Sequence, residues 1–530
     1  MSNISKMFPV IFYLVAVLIS LTSMTRMIEE ERVEIGTLKA MGYTNMQIIL
    51  KYIIYSLFAC IIGGALGMTV GLYLLPNIVW TLYAMIYNLP EFYCTYRIEI
   101  GLLGTIISFA CIGGATILVA TKELKQMPAV LMRPKPPKKG KRILLERISF
   151  IWKRFNFSQK VTARNIFRYK KRAIMTIIGI AGCTGLMLTG FGIRDSVMDI
   201  PSAQFEGIFN YDLSISLANT KGLNQLEEYF SNNENIQSYT EVCATTAKLG
   251  EKNYNVTVFV PKNAEEVYNA FNLTNPTTNE KVSLEDDGIV ISDKIADMIG
   301  ANIGDEITFI DGDDISYQFK IKNIMKNYVG HYVFMSKEFY EENIKQYKTN
   351  MIFANMNDNI SEETQNNISK EILNIEGVAS VSVISSLMKS VSDMLNTMNY
   401  VVIILIVASA LLAFVVLYNL ANINIAERQR EIATLKVLGF YDKEVDNYIN
   451  KENIIFTLIA IAIGLLFGTF LTSGIISSIE IDVLRFMRNI EPISYVYSAV
   501  ITFTFSIIVN FIIHFVLKKI DMIESLKSVE

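Results

Sequence analysis

Glu34 to Tyr43 reads EIGTLKAMGY and Glu431 to Phe440 reads EIATLKVLGF, two stretches with six identities in ten aligned residues. Such self-similarity implies that one local unit is built twice. Ile35, Leu38 and Met41, like Ile432, Leu435 and Leu438, recur at helical spacing, while Glu, Thr and Lys face elsewhere. Each copy therefore predicts an amphipathic helix. Gly42 and Gly439 stand where that helix would end in a left-handed cap, a conformation glycine enters without steric cost. The first copy opens with Glu29, Glu30 and Glu31 and carries no net positive charge, so it lacks the basic face that suits an anionic lipid surface. A protein partner is the better fit for both helices.

Outward from the repeat the chain turns apolar. Of 530 residues 51% are hydrophobic and only 19% charged, and the mean hydropathy is +0.34, which excludes an ordinary soluble protein of this size. Seven stretches can cross about 30 Å of hydrocarbon: 8–25, 52–75, 99–120, 173–191, 397–418, 452–478 and 495–517. The register of the repeat continues into the spans, where Gly67 and Gly71 correspond to Gly464 and Gly468. Gly63, Gly67 and Gly71, and Gly464 and Gly468, form rows of small residues that predict close helix packing. The first span runs straight into a charged helix without a cleavage site and reads as retained rather than as a signal peptide.

Orientation follows from flanking charge. Thr121 to Arg172 holds 17 Lys/Arg against Glu123 and Glu146 alone, which places that linker in the cytoplasm. Counting outward puts both repeated helices inside and residues 195–395 outside, where 31 acidic residues face 14 lysines and no arginine. The predicted organisation is a first, partial module over 1–120, a basic cytoplasmic linker over 121–172, a transmembrane helix over 173–194, an outer domain over 195–395 and a second module over 396–530. The outer domain mixes alternating runs (Tyr211 to Leu217, Val256 to Val260, Ile307 to Ile310, Tyr317 to Ile321) with amphipathic stretches (Ser292 to Ile299, Glu362 to Ile375). It reads as α+β. The fold class is thus an integral membrane helical protein with seven spans and one extracellular α+β domain.

Other chemistry is sparse. His331 and His514 are the two histidines and lie in unlike segments, which leaves no histidine metal site or Ser-His-Asp catalysis to argue for. The acidic clusters Asp305-Glu306 and Asp311 to Asp314 do not match the spacing of a Ca²⁺ loop and read as a solvated turn. Of the five cysteines, Cys60, Cys111 and Cys183 lie in apolar runs; Cys94 and Cys243 lie outside them, and a bridge between those two stays open. The sequence contains no G-x-x-x-x-G-K-[ST], so any use of ATP needs another subunit. Spans without mid-membrane ionisable groups argue against proton- or sodium-coupled transport, and a net charge of −3 against a nucleic-acid partner. No cofactor, metal site or catalytic constellation is predicted, and the chain reads as no enzyme.

With these spans, EIGTLKAMG and EIATLKVLG resemble the FtsX-like (MacB-type) permeases of ABC transporters. Ala163 to Ser196 looks like the start of the second half of a long two-module permease of Gram-positive bacteria, and Ile291 to Phe309 is similar to an element of the family's extracellular domain. The resemblance implies a plasma-membrane subunit in which Glu34, Thr37, Lys39, Gly42, Glu431, Thr434, Lys436 and Gly439 couple to a separate ATP-binding subunit, present as a dimer. ATP-driven closure would then move the outer domain to export or extract an amphiphile such as a lipid, lipopeptide or antimicrobial peptide. The alternative is a regulatory scaffold that controls a cell-wall hydrolase or a sensor kinase without transport. Arg428 stands where the first copy has Glu31. Family modules begin with a span and an outer domain, which the first half lacks; the resemblance therefore implies a missing N-terminal module or a second permease chain.

Overall fold

A computed structural model describes residues 4–86, 98–132, 153–154, 160, 163–164, 166–167 and 170–518, apart from 220, 286, 358, 359, 428 and 481. Among them, seven helices are long and apolar enough to cross a membrane. The described residues divide into two compact units, one of residues 1–194, 399–479 and 490–530, the other of residues 195–398 and 480–489.

The first unit opens with α1 (Ile4–Glu30), a short α2 (Arg32–Ala40), α3 (Asn45–Ile86), α4 (Ile98–Leu124) and the single turn α5 (Pro128–Leu131). α6 (Lys170–Met198) then leads out of the unit. The chain re-enters along α12 (Ile384–Glu427) and repeats the pattern with a short α13 (Gln429–Val437), α14 (Asp442–Ile479) and α15 (Pro492–Lys518). Many large apolar side chains on α3 and α14 are exposed, as lipid-facing residues are, and small or polar residues such as Ser56, Cys60, Thr457, Ala460 and Thr472 are among the buried positions. On α15, Ser494, Ser498, Thr502, Ser506 and Asn510 follow one another every four residues and are all buried. Ser498 and Thr502 donate to the carbonyl one turn back, and two hydroxyls meet neighbouring helices, Thr502 with Thr184 at 3.3 Å and Ser506 with Thr457 at 2.9 Å. Polar contacts of this kind associate helices where lipid offers no hydrophobic drive.

The second unit is the extracellular α+β domain. After α7 (Ile200–Phe205) it contains β1 (Leu213–Leu217), α8 (Lys221–Asn232), β2 (Ile236–Leu249), β3 (Tyr254–Pro261), β4 (Ile289–Ser292), α9 (Asp293–Ile299), β5 (Glu306–Ile310), β6 (Ser316–Met325), β7 (Tyr332–Phe334), α10 (Lys337–Asn343), β8 (Met351–Met356), α11 (Glu362–Leu373) and β9 (Val378–Val383). The order β3-β7-β4-β6-β5-β2-β8-β1-β9, with β3 also pairing β2, closes six strands into a barrel and leaves β8, β1 and β9 as a sheet beside it. The long β2 belongs to both. Residues 236–242 pair with β8 and 242–249 with β3, so one strand ties two cores together. One core gathers Leu249, Val258, Ile291, Phe309 and Val333; the other gathers Leu213, Leu226, Ile352 and Ile372. Asp311 to Asp314 form the β5–β6 turn, where Asp311 Oδ1 accepts from the amides of Asp313 and Ile315 at 2.9 Å. Among the described residues no group of three or more potential ligands could hold a metal ion. Cys243 is buried and free, and Cys94 lies outside the described residues, as does most of the basic linker.

Residues 480–489, between the last two spans, are built into this domain. Arg485 meets Asp293 at 3.2 Å and Asp297 at 2.9 Å, Lys294 meets Glu480 at 3.4 Å, and the Val483 carbonyl accepts from Gly330 at 2.9 Å. Burial pushes the Asp293 carboxyl up to about 6, although Arg485 and the amides of Asn327 and Lys294 pull it the other way. A free aspartate titrates near 3.9. The folded state therefore binds more protons than the unfolded chain between about pH 4 and pH 6, and its stability falls as pH rises through that window, by about 3 kcal/mol for this group. Hydrogen exchange over residues 289–299 of the full-length protein should be slower at pH 4.5 than at pH 7 once corrected for intrinsic rates, and Asp293→Asn should flatten the difference. A variant with the wild-type pH dependence would assign it to other groups.

Candidate coupling site on the cytoplasmic helices

The repeated helices α2 and α13 are each held down by one apolar face and one lysine. Ile35 is 2% exposed and packs with Ile28, Ile48, Tyr52, Leu124 and Leu131; Ile432 is fully buried among Ile425, Val445, Ile513 and Leu517. Gly36 fits because a side chain there would press on Leu131 and Met132 at 3.0 Å. The last carbonyls of a helix have no partner within it and carry partial negative charge, so they attract cations. Lys39 Nζ donates to the Leu124 and Gln126 carbonyls at 2.6 and 2.8 Å, and Lys436 Nζ donates to the Leu517 carbonyl at 3.0 Å. Both lysines thus tie a short helix to the cytoplasmic end of their own module's third span. Arg32, buried beside Gln126 and 3.7 Å from Glu123, adds to the clamp in the first copy.

The other side of α2 is anchored to α3. Lys51 reaches both Glu31 and Glu34 at 2.9 Å, and Tyr52 Oη donates to Glu31 at 2.8 Å. Burial raises the Glu31 carboxyl, but these contacts outweigh it and hold the group below its ordinary value. Thr37 is exposed and donates to the Val33 carbonyl at 3.0 Å; Thr434 is exposed as well. The side chain of Glu431, like Arg428, lies outside the described residues. Of the polar residues singled out by sequence, the structure therefore leaves Glu34, Thr37 and Thr434 at the surface and turns Lys39 and Lys436 inward.

Gly42 at φ +95° and Gly439 at φ +90° end the two helices in the left-handed region. Tyr43 donates back to the Leu38 carbonyl and Phe440 to the Leu435 carbonyl, both at 3.2 Å, which closes the same cap twice. The next helix starts at once: the Thr44 amide donates to Gln47 Oε1 at 2.9 Å and the Tyr441 amide to Glu444 Oε2 at 3.0 Å. The cap corrects one sequence expectation. Met41 and Leu438 share the spacing of Ile35 and Ile432, yet they are 63% and 70% exposed, because the helix has already ended and the turn rotates them outward. Tyr43 and Met46 in the first copy, and Phe440 and Tyr441 in the second, are exposed beside them. Sequence reasoning passed over these apolar tips; their signal was the in-register recurrence of bulky residues on both sides of the capping glycine.

The glycine rows behave differently in the two modules. Side chains on Gly464 and Gly468 would press on Ala181 and Thr184 at 2.7 Å and on the Gly185 carbonyl at 2.9 Å, so α14 and α6 touch backbone to backbone there. Gly63, Gly67 and Gly71 have nothing within 4 Å of such an added atom.

Two repeats of one membrane unit invite comparison with known families, and the FtsX-like permease C-terminal family matches residues 6–124 and 403–529. The chain carries two FtsX-like permease modules. It is accordingly a multi-pass membrane permease of the ABC transporter type, and permeases of this family are in general not enzymes themselves but work with a separate ATP-binding subunit. The periplasmic region of MacB from Actinobacillus actinomycetemcomitans, a solved structure, matches at 12% identity with a TM-score of 0.23, over 35% of this chain and 94% of that one. No curated protein matches the chain.

The lysine clamp in this FtsX-like permease is open to test. Lys39→Met keeps the apolar stem and removes two charge-assisted hydrogen bonds, a loss of about 1.5–3 kcal/mol. Amide exchange over residues 32–40 should rise at least 10-fold, with exchange in α3 and α4 unchanged. Unaltered protection of α2 would show that the apolar face alone holds the helix.

Proposed function

We propose that the two helix-cap hairpins are the coupling elements through which a separate ATP-binding subunit drives this permease. What carries the reading is a pair of equivalent hairpins, both clamped to the membrane helices and both exposing apolar tips on the cytoplasmic side: Met41, Tyr43 and Met46, and Leu438, Phe440 and Tyr441. Exposed bulky apolar residues on a rigid mount are what a partner's pocket takes up, and aromatic side chains of this kind dominate interface energies. Two copies suit a dimeric ATP-binding subunit, with one hairpin seated on each protomer. Glu34, Thr37, Glu431 and Thr434 then border the tips as the polar rim. Lys39, Lys436, Gly42 and Gly439 act one step back by fixing the angle of each hairpin to its span.

Closure of the ATP-binding dimer would tilt the hairpins and, through helices that continue into the outer domain, move that domain. The chain would thereby export or extract an amphiphile such as a lipid, lipopeptide or antimicrobial peptide from the plasma membrane of a Gram-positive bacterium. The experiment is stimulation of ATP hydrolysis by the permease in nanodiscs, using the ATP-binding protein encoded beside it. Leu438→Ala with Tyr441→Ala should weaken partner binding by about 2–4 kcal/mol, at least 30-fold in Kd, and abolish stimulation at submicromolar partner. Glu431→Lys should act through the rim with a smaller loss. Gly439→Val should leave membrane insertion intact, since nothing crowds the site, yet impair stimulation because a β-branched residue is strained at positive φ. Full binding and stimulation in all three variants would remove the hairpins from the coupling path.

A further inference from the structure

Three asparagines cross the second module in a chain. Asn424 on α12 donates to Asn453 on α14 at 3.1 Å, and Asn453 donates to Asn510 on α15 at 3.3 Å. Thr457, one turn on from Asn453, meets Ser506 at 2.9 Å. A chain of amides in which each donates to the next ends on an unpaired group, and here that group is Asn424 Oδ1, buried without a hydrogen-bond partner on a residue 3% exposed. Turning all three amides over would put the Asn424 amino group in its place, so the end of the chain is polar in either assignment. Beside it lies a void of about 20 Å³, lined by these five side chains and by Thr176 of α6, with Ile180 and Phe456 among its apolar walls.

We propose that this void is a binding site for one ordered water molecule, held at the free end of the Asn424 amide and linking α6, through Thr176, to the asparagine chain. A buried water takes about 10–15 Å³ of such space and two to four polar partners, whereas apolar voids stay dry. This void has the room and six polar side chains on its walls. A metal cation is the poorer fit, because none of the lining residues is charged and a bare ion would lose its hydration without gaining a counter-charge. The first module supplies the contrast. In the register of the repeat Met27 stands for Asn424, Ser56 for Asn453 and Cys60 for Thr457. There Ser56 and Thr116, both fully buried, meet directly at 2.9 Å, and Met27 packs with the apolar cluster around Ile35. One helical frame thus closes on a direct bond in the first module and leaves a polar gap in the second. The site lies within the membrane helices and is independent of how the hairpins engage a partner.

The test is X-ray radiolysis of the full-length chain in nanodiscs, in which hydroxyl radicals arise from bound as well as bulk water and oxidise the side chains beside them. Phe456, 2% exposed, lines the void, and Leu186, fully buried in another cluster of the same helices, is the dry control. With each rate normalised to that of the detergent-unfolded chain, oxidation at Phe456 should exceed that at Leu186 at least 10-fold. Asn424→Leu with Asn453→Ser installs an apolar side chain and a hydroxyl, as in the first module, and should bring Phe456 down to the level of Leu186. Asn424→Leu alone should do the same and covers the case in which the double variant unfolds. Replacing sodium by choline should change nothing. Phe456 as protected as Leu186 in the wild type would show a dry void and overturn the proposal. So would oxidation that persists in both variants, which would bring the radicals from elsewhere, or oxidation that changes when sodium is removed, which would assign the void to a cation.

Discussion

The carbonyl groups that end a membrane helix must find a partner, and in this chain the partner is a lysine brought from another helix. At the end of α4 it is Lys39, and at the end of α15 it is Lys436. The contact satisfies acceptors that neither the helix nor lipid can satisfy, and it places a cation where the peptide dipoles favour one. Its larger effect is mechanical. A nine-residue helix has too few internal hydrogen bonds to persist alone, so α2 and α13 exist as rigid bodies because Ile35 and Ile432 are buried on one side and the lysines are bonded at the end. Without that clamp the glycine caps would have no fixed angle to impose, and the apolar tips beyond them would be loose chain.

The same constraint explains the interior of the second module. Between helices in lipid there is little to gain from apolar burial, so specificity passes to small and polar residues. The Ser494, Ser498, Thr502, Ser506 and Asn510 row on α15 is the clearest instance. Asn424 donates to Asn453 at 3.1 Å and Asn453 to Asn510 at 3.3 Å, which continues the seam across α12, α14 and α15. Toward the cytoplasmic end of α15, His514 meets the Asp446 carboxylate. These groups fix the register of three helices against one another without placing a charge at mid-membrane.

Much of this was legible from the amino-acid order because the signals are local. Span length, the cap glycines, the paired repeat and the acidic outer domain each rest on residues close together in sequence. What was not legible depends on contacts across the chain. Met41 and Leu438 obey the helical spacing, and only the end of the helix, set by Gly42 and Gly439, turns them out. Lys39 and Lys436 read as surface cations, since their acceptors lie more than eighty residues further on. Residues 480–489 look like a short charged loop, because Asp293 and Lys294, which claim Arg485 and Glu480, are nearly two hundred residues away. The glycine rows were legible as rows, but which of them is covered depends on where α6 lies.

The two hairpins, although far apart in the chain, are joined through α1 and α12 to the same pair of helices. The second hairpin follows α12, which runs unbroken from the end of β9 to Glu427. The first follows α1, and α1 leans on both α6 and α12: Val15 packs with Cys183, Ala413 and Val416, a side chain on Gly182 would sit 3.3 Å from Val15, and Asn419 donates to Ser23 at 2.9 Å. α6 and α12 are also the helices that continue into the outer domain, as α7 and from β9 respectively. Both hairpins are therefore joined to one shared layer of close-packed side chains, and close-packed interiors shift as units rather than deform.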